Sequence, residues 1–121
     1  MWNFRKVDAW NRTLNLSKVI YEVTRRFPSD EKYGLTSQLR RAVVSISSNI
    51  AEGCGRRTSK DFIGFMHFAM GSLKEVESEL FVAEKLGYVE MCVVEDLFEE
   101  LEEIGRMLNG MIKREAEREI K

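Results

Sequence analysis

The side chains in this sequence best suited to chemistry are its paired basics, Arg25-Arg26, Arg40-Arg41 and Arg56-Arg57, with Lys60 close behind the last pair. A guanidinium is planar, always charged, and meets phosphate oxygens with a fork of N–H donors. Clusters of such groups neutralise a nucleic-acid backbone in a salt-dependent, largely sequence-independent way. The same residues serve equally well to pair with carboxylates such as Glu75 and Glu99 on an adjacent helix or subunit, and a basic patch alone does not decide between the two. On an unbroken helix, at about 100° and about 1.5 Å per residue, Arg56 would lie roughly 60° around and about 20 Å along from Arg41, but about 160° around from Arg40.

Other reactive types are sparse. His67 is the single histidine, which rules out a histidine-based metal cluster and the paired Glu-x-x-His motifs of di-iron bundles. It sits among Phe65, Met66 and Phe68 as a helix-surface or interface residue. Neither Cys54 nor Cys92 has a histidine at a spacing that marks a nucleophile, and no phosphate loop, catalytic triad or zinc motif is present. The acids Glu95, Asp96, Glu99, Glu100, Glu102 and Glu103 recur at helical spacing, which reads as a solvated face or one turned to a neighbour's cations. A weak divalent-cation site is the less favoured reading of them. The expectation is a non-enzymatic protein with no cofactor and no metal.

These residues must be positioned by helices. One proline and eight glycines in 121 residues leave long stretches without a breaker. The length suits a single domain over residues 1–121. No apolar run approaches the roughly 18 residues needed to span a bilayer, and the N-terminus lacks a signal-peptide core. Two cysteines make no disulfide framework, so a cytoplasmic protein with reduced thiols is expected, Cys92 packed and Cys54 near a helix end. The net charge of −1 hides a division: residues 1–60 carry 12 Lys/Arg against 5 Asp/Glu, and residues 61–121 carry 7 against 15. Such a division reads either as a dipolar surface or as two halves neutralising each other across helix contacts.

Four amphipathic patterns predict helices over about 8–26, 35–53, 59–86 and 90–118. The first carries Trp10, Leu14, Leu16, Val19, Ile20, Val23 and Phe27 inward and stops at Pro28. The second turns Leu39, Ala42, Val43, Ile46, Ile50 and Ala51 inward, and its Ser45, Ser47, Ser48 and Asn49 read as a close-packing seam in preference to a polar site. Thr58 or Ser59 caps the third, whose stripe runs from Phe62 through Met66, Leu73 and Leu80 to Leu86 and ends at Gly87. The fourth carries Val93, Leu97, Leu101, Ile104, Leu108, Met111 and Ile112, and its tail from Lys113 to Lys121 alternates in charge. Short connections favour an antiparallel up-down-up-down four-helix bundle. Ile63, Phe68, Met70 and Phe81 fall outside the main stripe of the third helix and predict self-association.

The stretch from Glu31 to Ala42, the phrase Val44-Ser45-Ile46-Ser47-Ser48-Asn49-Ile50-Ala51-Glu52-Gly53, the following Gly55-Arg56-Arg57, and the later Phe62-Ile63-Gly64-Phe65, Gly71-Ser72-Leu73-Lys74-Glu75 and Lys85-Leu86-Gly87-Tyr88 resemble the four-helix-bundle family encoded in intervening sequences of bacterial 23S rRNA genes. The resemblance covers roughly residues 2–110. One departure is Ser47, where the family usually has a proline that would kink the second helix. The resemblance implies ring-shaped homo-oligomers, typically pentamers, with no settled molecular function. A related group, the accessory proteins of diversity-generating retroelements, works with a reverse transcriptase and its RNA, but its members are strongly basic, whereas the pI here is about 5.9. The leading expectation is therefore a homo-oligomer that binds RNA or DNA through Arg25, Arg26, Arg40, Arg41, Arg56, Arg57 and Lys60. The alternative is an adaptor docking a nucleic-acid enzyme such as a reverse transcriptase, and a metal- or small-molecule-binding bundle stands third.

Overall fold

The computed structural model describes residues 2–120, without the side chains of Glu119 and Ile120; Met1 and Lys121, the ends of the expected domain, lie outside the described residues. The chain forms helices α1 (Asp8–Thr24), α2 (Leu35–Cys54), α3 (Ser59–Lys85) and α4 (Met91–Ile120), with 3-10 turns at Phe4–Lys6 and Ser29–Glu31 and no strand among the described residues. Each helix packs on its neighbour in sequence, α4 closes back on α1, and the diagonal pairs stay apart, as in an antiparallel up-down-up-down bundle. No helix is long and apolar enough to cross a membrane, among the residues described. The expected boundaries hold to within two residues, and the charged tail continues α4 as helix to Ile120.

One core runs the length of the bundle. It takes Leu39, Val43, Ile46 and Ile50 from α2, Met66, Leu73, Val76 and Leu80 from α3, and Val94, Leu101, Ile104 and Leu108 from α4. The inward face of α1 differs from the expectation. Ala9, Thr13, Leu16, Ile20, Thr24 and Phe27 are buried at three- and four-residue steps, whereas Leu14 and Val19 are exposed. The two threonines, polar by type, do not show in an apolar stripe, yet both are buried. Their hydroxyls donate to carbonyls of their own helix, Thr13 to Trp10 at 2.6 Å and Thr24 to Ile20 at 2.7 Å, and a hydroxyl satisfied in this way can enter an apolar stripe.

Two further expectations need correction. Cys92 is exposed and Val94 takes the core position, because the buried set 94, 97, 101, 104, 108, 111 repeats at alternating steps of three and four. Leu86 is exposed at 53 % because α3 has already ended. Gly87 adopts φ +81°, its N–H bonds Glu84, and the Tyr88 N–H bonds Ala83, the paired pattern of a left-handed helix stop. Cys54 is buried at the end of α2, and burial pushes its thiol up to about 11. Thr58 caps α3 by accepting from the Asp61 N–H.

The small polar residues of α2 form a seam against α3. Ser45 and Ser72 share a hydrogen bond of 2.9 Å, and Asn49 donates back to the carbonyl and hydroxyl of Ser45. At Gly53 an added Cβ would stand 2.6 Å from the Met66 methyl and 2.9 Å from the Phe65 Cβ, so glycine sets how closely the helices approach. Helix α2 passes Ser47 without interruption, and the Ser47 hydroxyl donates to the Val44 carbonyl.

Candidate nucleic-acid interface

An even number of antiparallel helices returns both chain termini to one end of the bundle, beside the α2–α3 connection. Side-chain contacts tie this end together. The buried Glu115 carboxylate of α4 accepts from the Trp2 indole at 2.9 Å and from the Ser59 hydroxyl at 2.8 Å, and Arg118 pairs with it at 2.9 Å. Trp2 stacks on Phe62 at 5.5 Å, and the Arg114 guanidinium lies over the Trp2 ring at 5.6 Å. Burial alone would push the Glu115 carboxyl up, but the hydrogen bonds from Trp2 and Ser59 together with the Arg118 cation outweigh it and hold its pKa below the ordinary value. The carboxylate thus stays ionised while joining the N-terminus, the start of α3 and the end of α4.

This end is basic. Residues 2–11, 52–66 and 109–118, which make it up, carry eight Lys/Arg and five Asp/Glu; residues 12–51 and 67–108 carry ten and fourteen. The excess of acids lies outside this end, on α3 and α4, and the cations of the α4 tail join the basic side. Arg5, Lys6, Arg57, Lys60 and Lys113 are exposed and form no ion pair among the described residues. Arg56 stacks on Phe65 at 4.6 Å and reaches Glu52 at 3.6 Å, leaving its guanidinium at the surface.

The structure brings Arg56, Arg57 and Lys60 together and sets the other candidates apart. Arg25 and Arg26 follow the end of α1 at the opposite end of the bundle. Arg40, near the start of α2, donates to the Thr24 hydroxyl at 2.9 Å and the Tyr21 carbonyl at 3.3 Å while stacking on the Tyr21 ring, so it ties α1 to α2. Arg41 beside it is exposed. Helix α2 stops at Cys54, so the helical angle between Arg41 and Arg56 has no counterpart in the structure. Among the described residues none of the seven pairs with Glu75 or Glu99. Sequence reasoning missed Arg5, Lys6, Lys113, Arg114 and Arg118, which lie in the termini, far from the arginine pairs along the chain. The signal available was topological: four alternating helices place both termini beside residues 55–60.

The α3–α4 face is acidic, whereas the other end carries both signs, Arg25, Arg26, Lys32 and Lys85 standing with Glu22, Asp30, Glu84 and Glu90. Lys74 bridges Glu77 at 3.0 Å and Glu102 at 3.3 Å. Burial raises the pKa of Glu77, and burial beside Glu75 pushes Glu79 up to about 7; among the described residues neither the Glu77 Oε2 nor the Glu79 Oε1 has a hydrogen-bond partner. At the end opposite the termini Glu31 accepts from the Leu35 N–H and the Tyr88 hydroxyl, and those bonds lower its pKa. A cleft of about 730 Å³ there is lined by Glu22, Glu84, Glu90 and Arg26 among apolar residues. On the outer face of α3, Phe68 is 63 % exposed between Gly64 and Gly71, with Val82 and Leu86 exposed farther along, while the exposed Phe81 turns to Phe98 of α4 at 5.6 Å. His67 is exposed on the same helix. Ile63 and Met70, by contrast, pack partly against the core. Among the described residues no group of His, Cys, Asp and Glu is arranged to hold a metal ion.

Comparison with known proteins agrees with this architecture. The family model of the 23S rRNA-intervening sequence protein matches residues 5–110. A crystal structure of a protein of unknown function from the S23 ribosomal protein family of Bacteroides thetaiotaomicron superposes with a TM-score of 0.79 at 23% identity, covering 87% of this chain and 95% of that one. No curated protein matches the chain.

Proposed function

The chain belongs to the 23S rRNA-intervening sequence protein family, and within it we propose a non-enzymatic, self-associating bundle that binds RNA through the phosphate backbone at its basic end. The observation that carries this is the gathering of Arg56, Arg57 and Lys60 with Lys6, Lys113 and Arg114 from the two termini, all but Arg56 without a carboxylate partner among the described residues. Exposed guanidinium and ammonium groups gathered at one end release counterions when they meet phosphates, which favours RNA at low salt and weakens its binding as salt rises. The test is a salt titration of RNA binding. The logarithm of affinity should fall linearly with the logarithm of salt, and Arg57→Ala with Lys60→Ala should reduce that slope by about two phosphate contacts. Salt-independent binding, or a slope unchanged by the double substitution, would sink the assignment.

Self-association is supported by the uncovered apolar side chains of α3. Phe68, Val82 and Leu86 remain exposed while a complete core lies behind them, and the bare Gly64 and Gly71 leave room for a neighbouring helix. A closed ring of copies, a pentamer by resemblance, would cover this face. Light scattering should report an oligomer that Phe68→Glu with Val82→Glu dissociates; a wild-type monomer at micromolar concentration contradicts it.

A further inference from the structure

Beside the basic residues, between the N-terminal turn and α4, lies a cavity of about 440 Å³. Its floor is apolar, formed by Val7, Ala9, Met107 and Met111, and it opens above Gly110, where an added Cβ would meet nothing within 4 Å. Lys6 and Arg114 stand on its walls, and neither has a carboxylate partner among the described residues. The Arg114 guanidinium lies over the Trp2 ring, 5.6 Å from its centroid, and Trp2 in turn stacks on Phe62.

We propose that this cavity receives a single unpaired nucleotide, its base laid against Arg114 and the methionine floor and its phosphate held by Lys6. The size falls within the range of small-molecule sites, and an apolar pocket with a few placed polar groups is their usual form. Unstacked bases in RNA are taken up on aromatic rings and on guanidinium planes, and Trp2 and Arg114, which both line the cavity, are groups of those two kinds. Asn3 and Asp8 at the rim supply a donor and an acceptor for a base edge. A long aliphatic anion fits less well, because the cavity is open and carries polar groups on several sides. The inference rests on the RNA-binding role proposed above, and it adds a preference for single-stranded over double-stranded RNA. The shared chemistry belongs to a free nucleotide as much as to one within an RNA chain.

Gly110→Leu separates these possibilities, since it fills the cavity from a position where nothing is displaced and leaves every cation in place. Binding of 5′-AMP, of a short single-stranded oligoribonucleotide and of a duplex RNA is followed by tryptophan fluorescence and anisotropy, with helicity as a control. The wild type should bind AMP saturably. The variant should lose AMP, weaken single-strand binding by about tenfold, the scale of one lost base stack, and keep wild-type duplex affinity. AMP binding that is sensitive to Gly110→Leu, in a protein that binds neither RNA, upholds the cavity and sinks the RNA-binding role, leaving a free nucleotide as the ligand. Single-strand affinity unchanged by Gly110→Leu overturns the cavity proposal and leaves the basic end intact.

Discussion

The two ends of the bundle are closed by the same device and differ in the charges set around it. At one end Glu115 joins Trp2, Ser59 and Arg118, and at the other Glu31 joins the Leu35 N–H to the Tyr88 hydroxyl. In both a single carboxylate connects elements far apart in sequence. The surroundings differ: Lys6 and Arg114 stand around the cavity near Glu115, whereas Glu22, Glu84 and Glu90 outnumber Arg26 in the cleft near Tyr88. The comparison separates what folding requires, a satisfied carboxylate at each end, from what folding leaves free, the sign of the surface around it.

The largest effect should come from the helix contact that feeds the basic end. Gly53→Val drives a branched side chain into Met66 and Phe65 and should cost about 3 kcal/mol, measured as a fall in the urea midpoint with little change in slope. Next is Glu115→Ala, which strips the Trp2 indole and Ser59 hydroxyl of their acceptor and should cost about 2 kcal/mol with a red shift in tryptophan emission. Glu31→Ala should cost less, because its site is more open to water. Both carboxyls have lowered pKa values in the folded protein, so their contributions are present above the unfolded carboxylate pKa and are lost as pH falls through the folded one. A larger loss for Glu31→Ala would break the comparison.

Glu79 behaves with the opposite sign. Its pKa is pushed up to about 7, so the folded state holds the proton more tightly than the unfolded one, and stability declines as pH rises from the unfolded carboxylate value toward about 7. Glu79→Gln should therefore raise stability by about 1 kcal/mol at pH 8, and the gain should vanish below about pH 4, when the wild-type carboxyl is protonated in both states. Thermal melts of the two proteins across pH give the answer. The smallest effect belongs to the exposed Arg12–Glu100 pair at 2.9 Å, where Arg12→Ala should change stability by less than about 0.5 kcal/mol.

Much of the fold was legible along the chain. The stripes of α2, α3 and α4, the Thr58 cap and the Gly87 stop each follow from local periodicity or from backbone geometry that few residues satisfy. The misreadings on α1 share a cause: Thr13 and Thr24 are polar by type yet satisfied by their own helix, so hydropathy put Leu14 and Val19 in their place. The site was half legible. Arg56, Arg57 and Lys60 stand out as a local cluster, but Lys6 and Arg114 join them only through the closure of the bundle, and Arg40 gives no sign in sequence of its stacking on Tyr21. Charge counted along a chain misplaces whatever the topology folds back.

The central claim is that cations at one end, and not the basic residues at large, hold RNA. Matched charge reversals test it most directly: Arg57→Glu with Lys60→Glu at the basic end, and Arg25→Glu with Arg26→Glu at the other, each equal in charge and exposed. With single-stranded RNA at low salt the first pair should weaken binding by about tenfold or more and the second by less than about twofold. Equal losses from the two pairs, or a greater loss from Arg25 and Arg26, would contradict it.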